Sequence, residues 1–381
     1  MSTYRSRRQF LVLGGAGAAW SGLSQTVQSS PNRLSRPAVQ ALLAPAGSGS
    51  FGPVKIDANE NPYGPSEKAI QAIQRNFGQS GRYAHNTPEL HRSLCNHHQV
   101  DSGMLEVGYG SSELLKMAAE AFLGSGKNVV TAQPTYEATA RYGAVYGATT
   151  THVPLDAQYR FDLKKMRAAV NEKTGMVYIC NPNNPTATVV SAEATRAFVD
   201  SMPPEIPVVI DEAYHHYVDD PSYASAIPLA KQGKAVVVMR TFSKIYGMAG
   251  LRMGYAVGRA DLIGRMSAYK IWLNANTLTV AAALASLEDK EFVERNRKLN
   301  AMARQFVEQE VTKMGLGYIP SQANFLMIDL KRDMGSVVSE LRARNVFAGR
   351  PFYPLRQHLR VTVGTMEEMK RFVEELRVVV A

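Results

Sequence analysis

Cysteine is scarce in this sequence, with only Cys95 and Cys180 among 381 residues. Cys180 ends an apolar run that predicts a buried strand, and buried thiols of this kind behave as small hydrophobic groups. We therefore expect two separate thiols rather than a disulfide. We predict no metal site.

Long apolar runs, a large excess of one charge and internal repeats are also missing. The stretch Phe10 to Leu23 is short and rich in glycine and alanine, whereas a membrane span needs about 20 apolar residues. The net charge is +10, but five of the arginines lie in residues 1–46, and we find no nucleic-acid recognition motif. We expect neither a stable membrane span nor a nucleic-acid partner. With 45% hydrophobic residues, the chain can form two domains and a sizeable core.

Acidic residues are absent before Asp57, and the paired Arg7 and Arg8 stand directly before the apolar stretch in the sequence SRRQFLV. This layout is typical of a bacterial twin-arginine export signal. We expect residues 1–46 to form the signal and leader, and the protein to reach the periplasm already folded. The alternative is an unstructured basic tail on a cytoplasmic protein.

The segment RTFSKIYGMAGLRMGY, Arg240 to Tyr255, surrounds Lys244 with groups suited to a phosphorylated aldehyde. A lysine that condenses with an aldehyde must lose its proton, which desolvation or nearby cations favour. Thr241 and Ser243 can donate to phosphate oxygens, and the fork of Arg252 matches a phosphate dianion. The alternative is an ordinary solvated loop lysine.

Two further strands predict partners for the ring of pyridoxal 5'-phosphate (PLP). Val208 to Ile210 is an apolar run that ends in Asp211, a candidate partner for the pyridine nitrogen, although a helix N-cap is equally compatible. Tyr214 can donate to the ring oxygen of the cofactor. Asn184, which follows the apolar run Met176 to Cys180, can donate to the same oxygen.

A glycine turn and a helix follow one another in GYGSSELLKMAAEAFLG. Ser111 and Ser112 stand at the expected helix N-terminus, where free backbone N–H groups and the helix dipole favour phosphate. Ordinary N-capping is compatible with this interpretation.

The chain contains, in order, the motifs DANENPYGP, RY, GYGSSE, PTY, NPNNPT, DEAY and TFSKxxGxAGLRxGY, followed by ANF and LRVTVGT. Together they resemble the fold-type I PLP-dependent aminotransferases of class I and II, most closely the histidinol-phosphate aminotransferase group. The resemblance runs from about Val54 to the C-terminus. One motif alone would be weak evidence, whereas this ordered series indicates membership.

The resemblance implies a role for each matching residue. Lys244 is the implied Schiff-base lysine and proton shuttle, Asp211 the partner of the pyridine nitrogen, and Tyr136 the side chain that stacks on the ring. Asn184 and Tyr214 hold the ring oxygen. The implied phosphate ligands are Ser111, Ser112, Thr241, Ser243 and Arg252, joined by Tyr83 from a neighbouring subunit. A homodimer is therefore part of the prediction.

The resemblance also concerns the substrate. Arg360 matches the arginine that pairs with a substrate carboxylate or phosphate, and Arg350 and Tyr63 match further substrate positions. Two positions depart from the family. Ala187 replaces a glycine after NPNNPT, so we expect this turn to avoid a conformation that only glycine adopts at low cost. Ser112 replaces an acidic residue.

The apolar runs alternate with helical segments, which predicts an α/β fold with a mostly parallel sheet covered by helices on both faces. A smaller α+β domain should follow. The predicted strands are Val129 to Thr131, Met176 to Cys180, Val208 to Ile210, Ala235 to Arg240 and Tyr255 to Val257. The predicted divisions are a leader over 1–46, an N-terminal arm over 47–77, a large PLP-binding domain over 78–276 and a small domain over 277–381.

The predicted function is PLP-dependent transamination between an amino acid and a 2-oxo acid. An exported enzyme would not meet phosphorylated cytoplasmic intermediates, so we favour a free amino acid with an aromatic or otherwise bulky side chain. A decarboxylase, a β-lyase or a racemase could use the same residues, because the reaction depends on which bond lies perpendicular to the ring. A non-catalytic periplasmic protein that binds PLP or an amino compound is the alternative outside enzymology.

Overall fold

The computed structural model describes residues 52–381, so the predicted leader and export signal lie outside the described residues. The helices are α1 (Glu67–Asn76), α2 (Thr87–His98), α3 (Ser111–Phe122), α4 (Ala138–Val145), α5 (Leu163–Ala169), α6 (Ala192–Ser201), α7 (Ile227–Lys231), α8 (Ala260–Ser267), α9 (Thr277–Leu287), α10 (Lys290–Lys313), α11 (Met334–Ala343) and α12 (Met366–Val380). The strands are β1 (Val54–Ile56), β2 (Leu105–Gly108), β3 (Asn128–Gln133), β4 (Thr149–Pro154), β5 (Thr174–Cys180), β6 (Val208–Asp211), β7 (Val236–Thr241), β8 (Gly254–Gly258), β9 (Gly317–Ile319), β10 (Phe325–Asp329), β11 (Val346–Ala348) and β12 (His358–Thr362). Over this range, every helix is too short or too polar to cross a membrane.

The large sheet has seven strands in the order β2-β8-β7-β6-β5-β3-β4. Strands β3 to β7 run parallel, whereas β8 is antiparallel to both β7 and β2. Strands β6, β7 and β8 are buried along their whole length, which is why their sequences are mainly apolar and do not alternate, with polar residues only at the carboxyl ends of β6 and β7. All five predicted strands are present, and the predicted α/β fold class is confirmed.

A smaller α+β layer follows in the chain. Strands β9, β10 and β12 form an antiparallel sheet, and β1 pairs with β11 in parallel. Apolar side chains of α10, α11 and α12 pack with these strands into a second core, which includes Val307, Leu341 and Phe372. The predicted smaller domain is therefore present.

The two hydrophobic cores divide the chain differently from the predicted boundaries. Helix α9 has Val280, Ala282 and Ala283 in the larger core, although the predicted boundary at residue 276 assigned it to the small domain. Its apolar residues point in several directions, so it must be surrounded by other elements. Conversely, Val54 and Ile56 of the predicted arm lie in the smaller core. The domain limits stay a prediction.

The sheet brings the ends of three adjacent strands together. Strands β5, β6 and β7 are neighbours and parallel, so their carboxyl ends lie at the same edge of the sheet, where Cys180 pairs with Asp211 and Asp211 with Met239, two residues before Thr241. Loops at the carboxyl ends of parallel strands commonly form ligand sites. Cys95 and Cys180 are both buried and unpaired, as predicted.

Candidate active site

A cavity of about 330 Å³ opens at this edge of the large sheet. It contains every predicted cofactor residue of this chain except Tyr83, together with two predicted substrate arginines. The lining residues predicted from the sequence are Ser111, Ser112, Tyr136, Asn184, Asp211, Tyr214, Thr241, Ser243, Lys244, Arg252, Arg350 and Arg360.

Lys244 lies in the turn after β7 and reaches into the cavity. Its Nζ donates to the backbone oxygen of Asn59 at 2.8 Å and lies 5.5 Å from the ring centre of Tyr214. Burial lowers the pKa of Lys244 to about 8, and the positive charge of Arg360 is the second largest cause of this shift. The amine is therefore far easier to deprotonate near neutral pH than an exposed lysine.

Asp211 is the last residue of β6 and only 3% exposed. Its Oδ2 accepts from the hydroxyl of Tyr178 and its Oδ1 from the backbone N–H of Ala213, each at 3.1 Å. Burial raises the pKa of this carboxyl to about 6, although both hydrogen bonds act in the opposite direction. A buried carboxylate of this kind is suited to a cationic partner in the cavity.

Asn184 and Tyr214 both line the cavity and can donate hydrogen bonds into it. The Oδ1 of Asn184 accepts from Nη1 of Arg360 at 2.8 Å, which leaves its amide N–H groups for another acceptor. The hydroxyl of Tyr214 accepts from Nδ2 of Asn59 at 3.1 Å, which leaves its own proton to donate. Burial raises the pKa of Tyr214, so this hydroxyl stays protonated.

The cavity also contains a cradle of hydroxyl, backbone and guanidinium groups. Arg252 has a left-handed backbone, with φ of 62°, and its Nη1 donates to Ser243 Oγ at 3.2 Å and to the oxygen of Ala249 at 2.8 Å. Gly110 precedes α3 with φ of 79°, and a Cβ there would lie 2.9 Å from Cζ of Arg252 and closer still to Nη2. Helix α3 begins at Ser111, so its free N–H groups face the same place.

The sequence profile of the aminotransferase class I and II family matches residues 52–376. The chain belongs to this family. It is 36% identical to the histidinol-phosphate aminotransferase of Moorella thermoacetica over 86% of each chain, and 38% identical to histidinol-phosphate aminotransferase 1 of Nitrosococcus oceani over 87% of this chain and 90% of the relative.

Solved structures agree with the family assignment. A putative histidinol-phosphate aminotransferase from Erwinia carotovora atroseptica superposes with a TM-score of 0.84 at 32% identity, covering 87% of this chain and 98% of the other. The histidinol-phosphate aminotransferase of Sinorhizobium meliloti, solved in complex with PLP, superposes with a TM-score of 0.81 at 26% identity, covering 92% and 98%. These relatives confirm a PLP-dependent aminotransferase, and they do not favour the decarboxylase, β-lyase, racemase or binding-protein alternatives.

The cavity of this aminotransferase fits PLP on two counts. Asp211 is a buried carboxylate that has no cationic hydrogen-bond partner within the described residues. It is therefore available to pair with a protonated pyridine. In the cradle, Arg252 and the N-terminus of α3 surround a space that a Cβ at position 110 would fill. Asp211 therefore suits the ring of PLP, and the cradle suits its phosphate.

Three predicted residues lie at or beyond the margin of the cavity. Arg350 lines its edge and pairs with Glu137 at 3.3 Å while its guanidinium stacks on Phe352. Tyr63 is 39% exposed and Tyr83 is 66% exposed, and both lie outside the cavity lining in this chain. Their predicted contacts with substrate and phosphate stay predictions.

Sequence reasoning missed Asn59, which connects several parts of the site. Besides its bonds to Lys244 and Tyr214, its backbone N–H donates to Thr362 Oγ1 at 2.9 Å, and its backbone oxygen accepts from Asn324 Nδ2 at 3.1 Å. Both asparagines stand in motifs that carried the family resemblance, DANENPYGP and ANF, and that was the available signal.

The expectation for Ala187 was wrong. This residue adopts φ of 59°, the left-handed region that the turn was expected to avoid. Its N–H donates to the oxygen of Asn183 at 2.8 Å, and its own oxygen accepts from the N–H of Gln322 at 2.8 Å. These bonds fix the turn in the same conformation that glycine would adopt, at a cost of roughly 1 kcal/mol.

Proposed function

We propose that Lys244, Asp211 and Arg252 carry the aminotransferase activity and that the donor is an α-amino acid with an aromatic or bulky side chain. The observation that carries the assignment is the Lys244 amine inside the cavity, with its pKa lowered to about 8. When bound, PLP supplies the aldehyde and the electron sink for the substrate's Cα carbanion. Lys244 would then act as the base that takes up the substrate's Cα proton and as the acid that releases it to the cofactor.

The remaining cofactor roles follow from the donors left free. Asp211 would keep the pyridine nitrogen protonated, while the amide of Asn184 and the hydroxyl of Tyr214 would donate to the ring oxygen. Tyr136 borders the cavity and is 37% exposed, so its ring can cover the cofactor face. The residues that would hold the phosphate at the cradle are Ser111, Ser112, Thr241, Ser243 and Arg252.

Arg360 is our candidate for the substrate carboxylate. It lies on β12 with its guanidinium between Asn184 Oδ1 and the backbone oxygen of Asp57, at 2.8 and 2.5 Å, and its buried Nε has no partner in the described chain. The Cζ atom of Arg360 lies 4.8 Å from the ring centre of Phe352. An arginine held in this way is pre-positioned for an anion.

Histidinol phosphate is the second candidate donor, because the relatives at 36% and 38% identity are named histidinol-phosphate aminotransferases. A half-reaction screen distinguishes the candidates. The purified protein loaded with PLP is mixed with phenylalanine, tyrosine, histidine or histidinol phosphate, and conversion of the cofactor to its amino form is followed by absorbance. Fastest conversion with histidinol phosphate would refute our choice of donor.

We also propose a homodimer in which Tyr83 reaches the partner's phosphate. Residues 271–273 are apolar and exposed, with Trp272 at 89%, and Trp272 and Leu273 border the same groove as Ala84. Such a patch suits a protein interface. Inactive Lys244→Ala and Tyr83→Ala chains, unfolded and refolded together, should regain activity, because one site in a mixed dimer would hold both native residues. Mixed dimers without activity would contradict a shared site.

Export by the twin-arginine route remains our proposal for residues 1–46. It is supported by the paired Arg7 and Arg8 before an apolar stretch. A double Arg7→Lys and Arg8→Lys variant should keep the protein in the cytoplasm, as measured by fractionation of the bacterial host. Undiminished periplasmic protein would overturn the proposal and remove our argument against a phosphorylated substrate.

A further inference from the structure

Tyr178 lies directly behind the carboxylate of Asp211. Its side chain is completely buried in β5, and its hydroxyl donates to Asp211 Oδ2 at 3.1 Å. Side chains two residues apart share a face of a strand, so Tyr178 projects on the same face as Cys180, the residue paired with Asp211 across the sheet. Tyr178 is not among the residues that line the cavity.

We infer that Tyr178 is a positioning residue that keeps Asp211 ionised and aimed at the pyridine nitrogen of PLP. This inference rests on the proposed role of Asp211. The carboxylate has only two donors among the described residues, Tyr178 and the N–H of Ala213, one on each oxygen. With one donor on each oxygen, the plane of the carboxylate is fixed where Asp211 lines the cavity.

The charges around Asp211 set the direction of the effect. Burial raises its pKa to about 6, and the Tyr178 hydroxyl lowers it because a donor stabilises the ionised form. The titratable groups that act on Asp211 or feel its charge are Tyr136, Cys180, Glu212, Tyr214 and Lys244. Burial also raises the pKa of Tyr178 well above its ordinary value, so its hydroxyl stays protonated and can donate to the carboxylate. Removing the hydroxyl therefore leaves Asp211 protonated up to a higher pH.

The test measures PLP affinity of the full chain against pH for wild type and Tyr178→Phe. We expect the variant to bind PLP roughly tenfold more weakly at pH 6.5, which corresponds to the loss of one hydrogen bond to a charged group. The midpoint of the affinity–pH curve should move to higher pH. A purely structural tyrosine would lower the stability of the protein without moving this midpoint, so an unmoved midpoint overturns the inference.

Tyr223→Phe is the matched control. Its hydroxyl bonds to His215 Nδ1 at 3.0 Å, away from Asp211, so its loss should leave the curve in place. If Tyr178→Phe does not fold, 3-fluorotyrosine at position 178 serves instead, because its hydroxyl is a stronger donor. It should shift the midpoint to lower pH, and an unchanged midpoint would again refute the inference.

Asp211→Asn separates this inference from the proposed function. If Asp211→Asn binds PLP as wild type does, the proposed role of Asp211 fails, and the role of Tyr178 with it. If Asp211→Asn weakens binding but Tyr178→Phe does not, only the inference fails. When both are right, Tyr178→Phe adds no further loss in the Asp211→Asn background.

Discussion

Gly110→Ala gives the sharpest test of the phosphate cradle. The backbone at this position has φ of 79° and ψ of 162°, a region almost restricted to glycine, and an added Cβ would meet the guanidinium of Arg252. The backbone strain alone costs about 1–3 kcal/mol of stability. The methyl group also displaces Arg252 from the place where we expect the phosphate.

The expected loss of PLP affinity is about tenfold to hundredfold, since one hydrogen bond to a charged group contributes about 1.5–3 kcal/mol. Affinity is measured by titration with PLP, and stability by urea unfolding of the PLP-free protein. Gly126→Ala is the matched control, because Gly126 also has φ of 79° but has nothing within 4 Å of the added Cβ. It should lose stability and keep its affinity for PLP.

Arg252→Gln should reproduce the affinity loss, and combining it with Gly110→Ala should add little, because both changes remove the same interaction. Wild-type affinity in Gly110→Ala would refute the reasoning. Fully additive losses would show that position 110 acts on PLP without Arg252.

Three further predictions follow from the site and its surroundings. Lys244→Ala should abolish covalent attachment of PLP, measured by mass spectrometry after borohydride reduction; a label on another residue would contradict the lysine assignment. Arg360→Ala should raise KM for carboxylate donors about tenfold or more while changing PLP affinity much less, whereas equal losses would indicate a structural arginine. Burial lowers the pKa of His98 and of His216 to about 3. The unfolded chain therefore binds more protons between about pH 6.5 and pH 3, and stability should fall as pH falls through this window. Urea midpoints should show this slope, and His98→Asn with His216→Asn should flatten it; an unchanged slope would exclude these histidines.

The strands of the large sheet and most of the cavity could be predicted from the sequence, because buried parallel strands are continuous apolar runs that end in polar residues. The two edge strands, β2 and β4, were not among the predicted strands, and β4 (Thr149–Pro154) has only one buried side chain. Helix α9 falls in the predicted small domain although Val280, Ala282 and Ala283 lie in the larger core, because apolar periodicity indicates burial and not the identity of the neighbour.

Contacts between distant parts of the chain could not be predicted from the sequence either. Asn59 and Asn324 are 265 residues apart, and a single sequence has no signal that pairs them. The bond between Tyr178 and Asp211 joins two strands that were both predicted, but its existence depends on their register. Ala187 shows the reverse case, in which a local rule about glycine was overridden by one hydrogen bond within the turn, to Asn183, and one from Gln322 outside it.

Asn59 also connects the Lys244 amine to the smaller core through hydrogen bonds. The residue lies three positions beyond a strand of the smaller core, is bonded to β12, and accepts directly from Lys244. A rotation of the smaller core relative to the large sheet must strain or break one of these bonds. Opening of the cavity is therefore coupled to the basicity of Lys244. A ligand that closes the cavity will change the basicity of this amine.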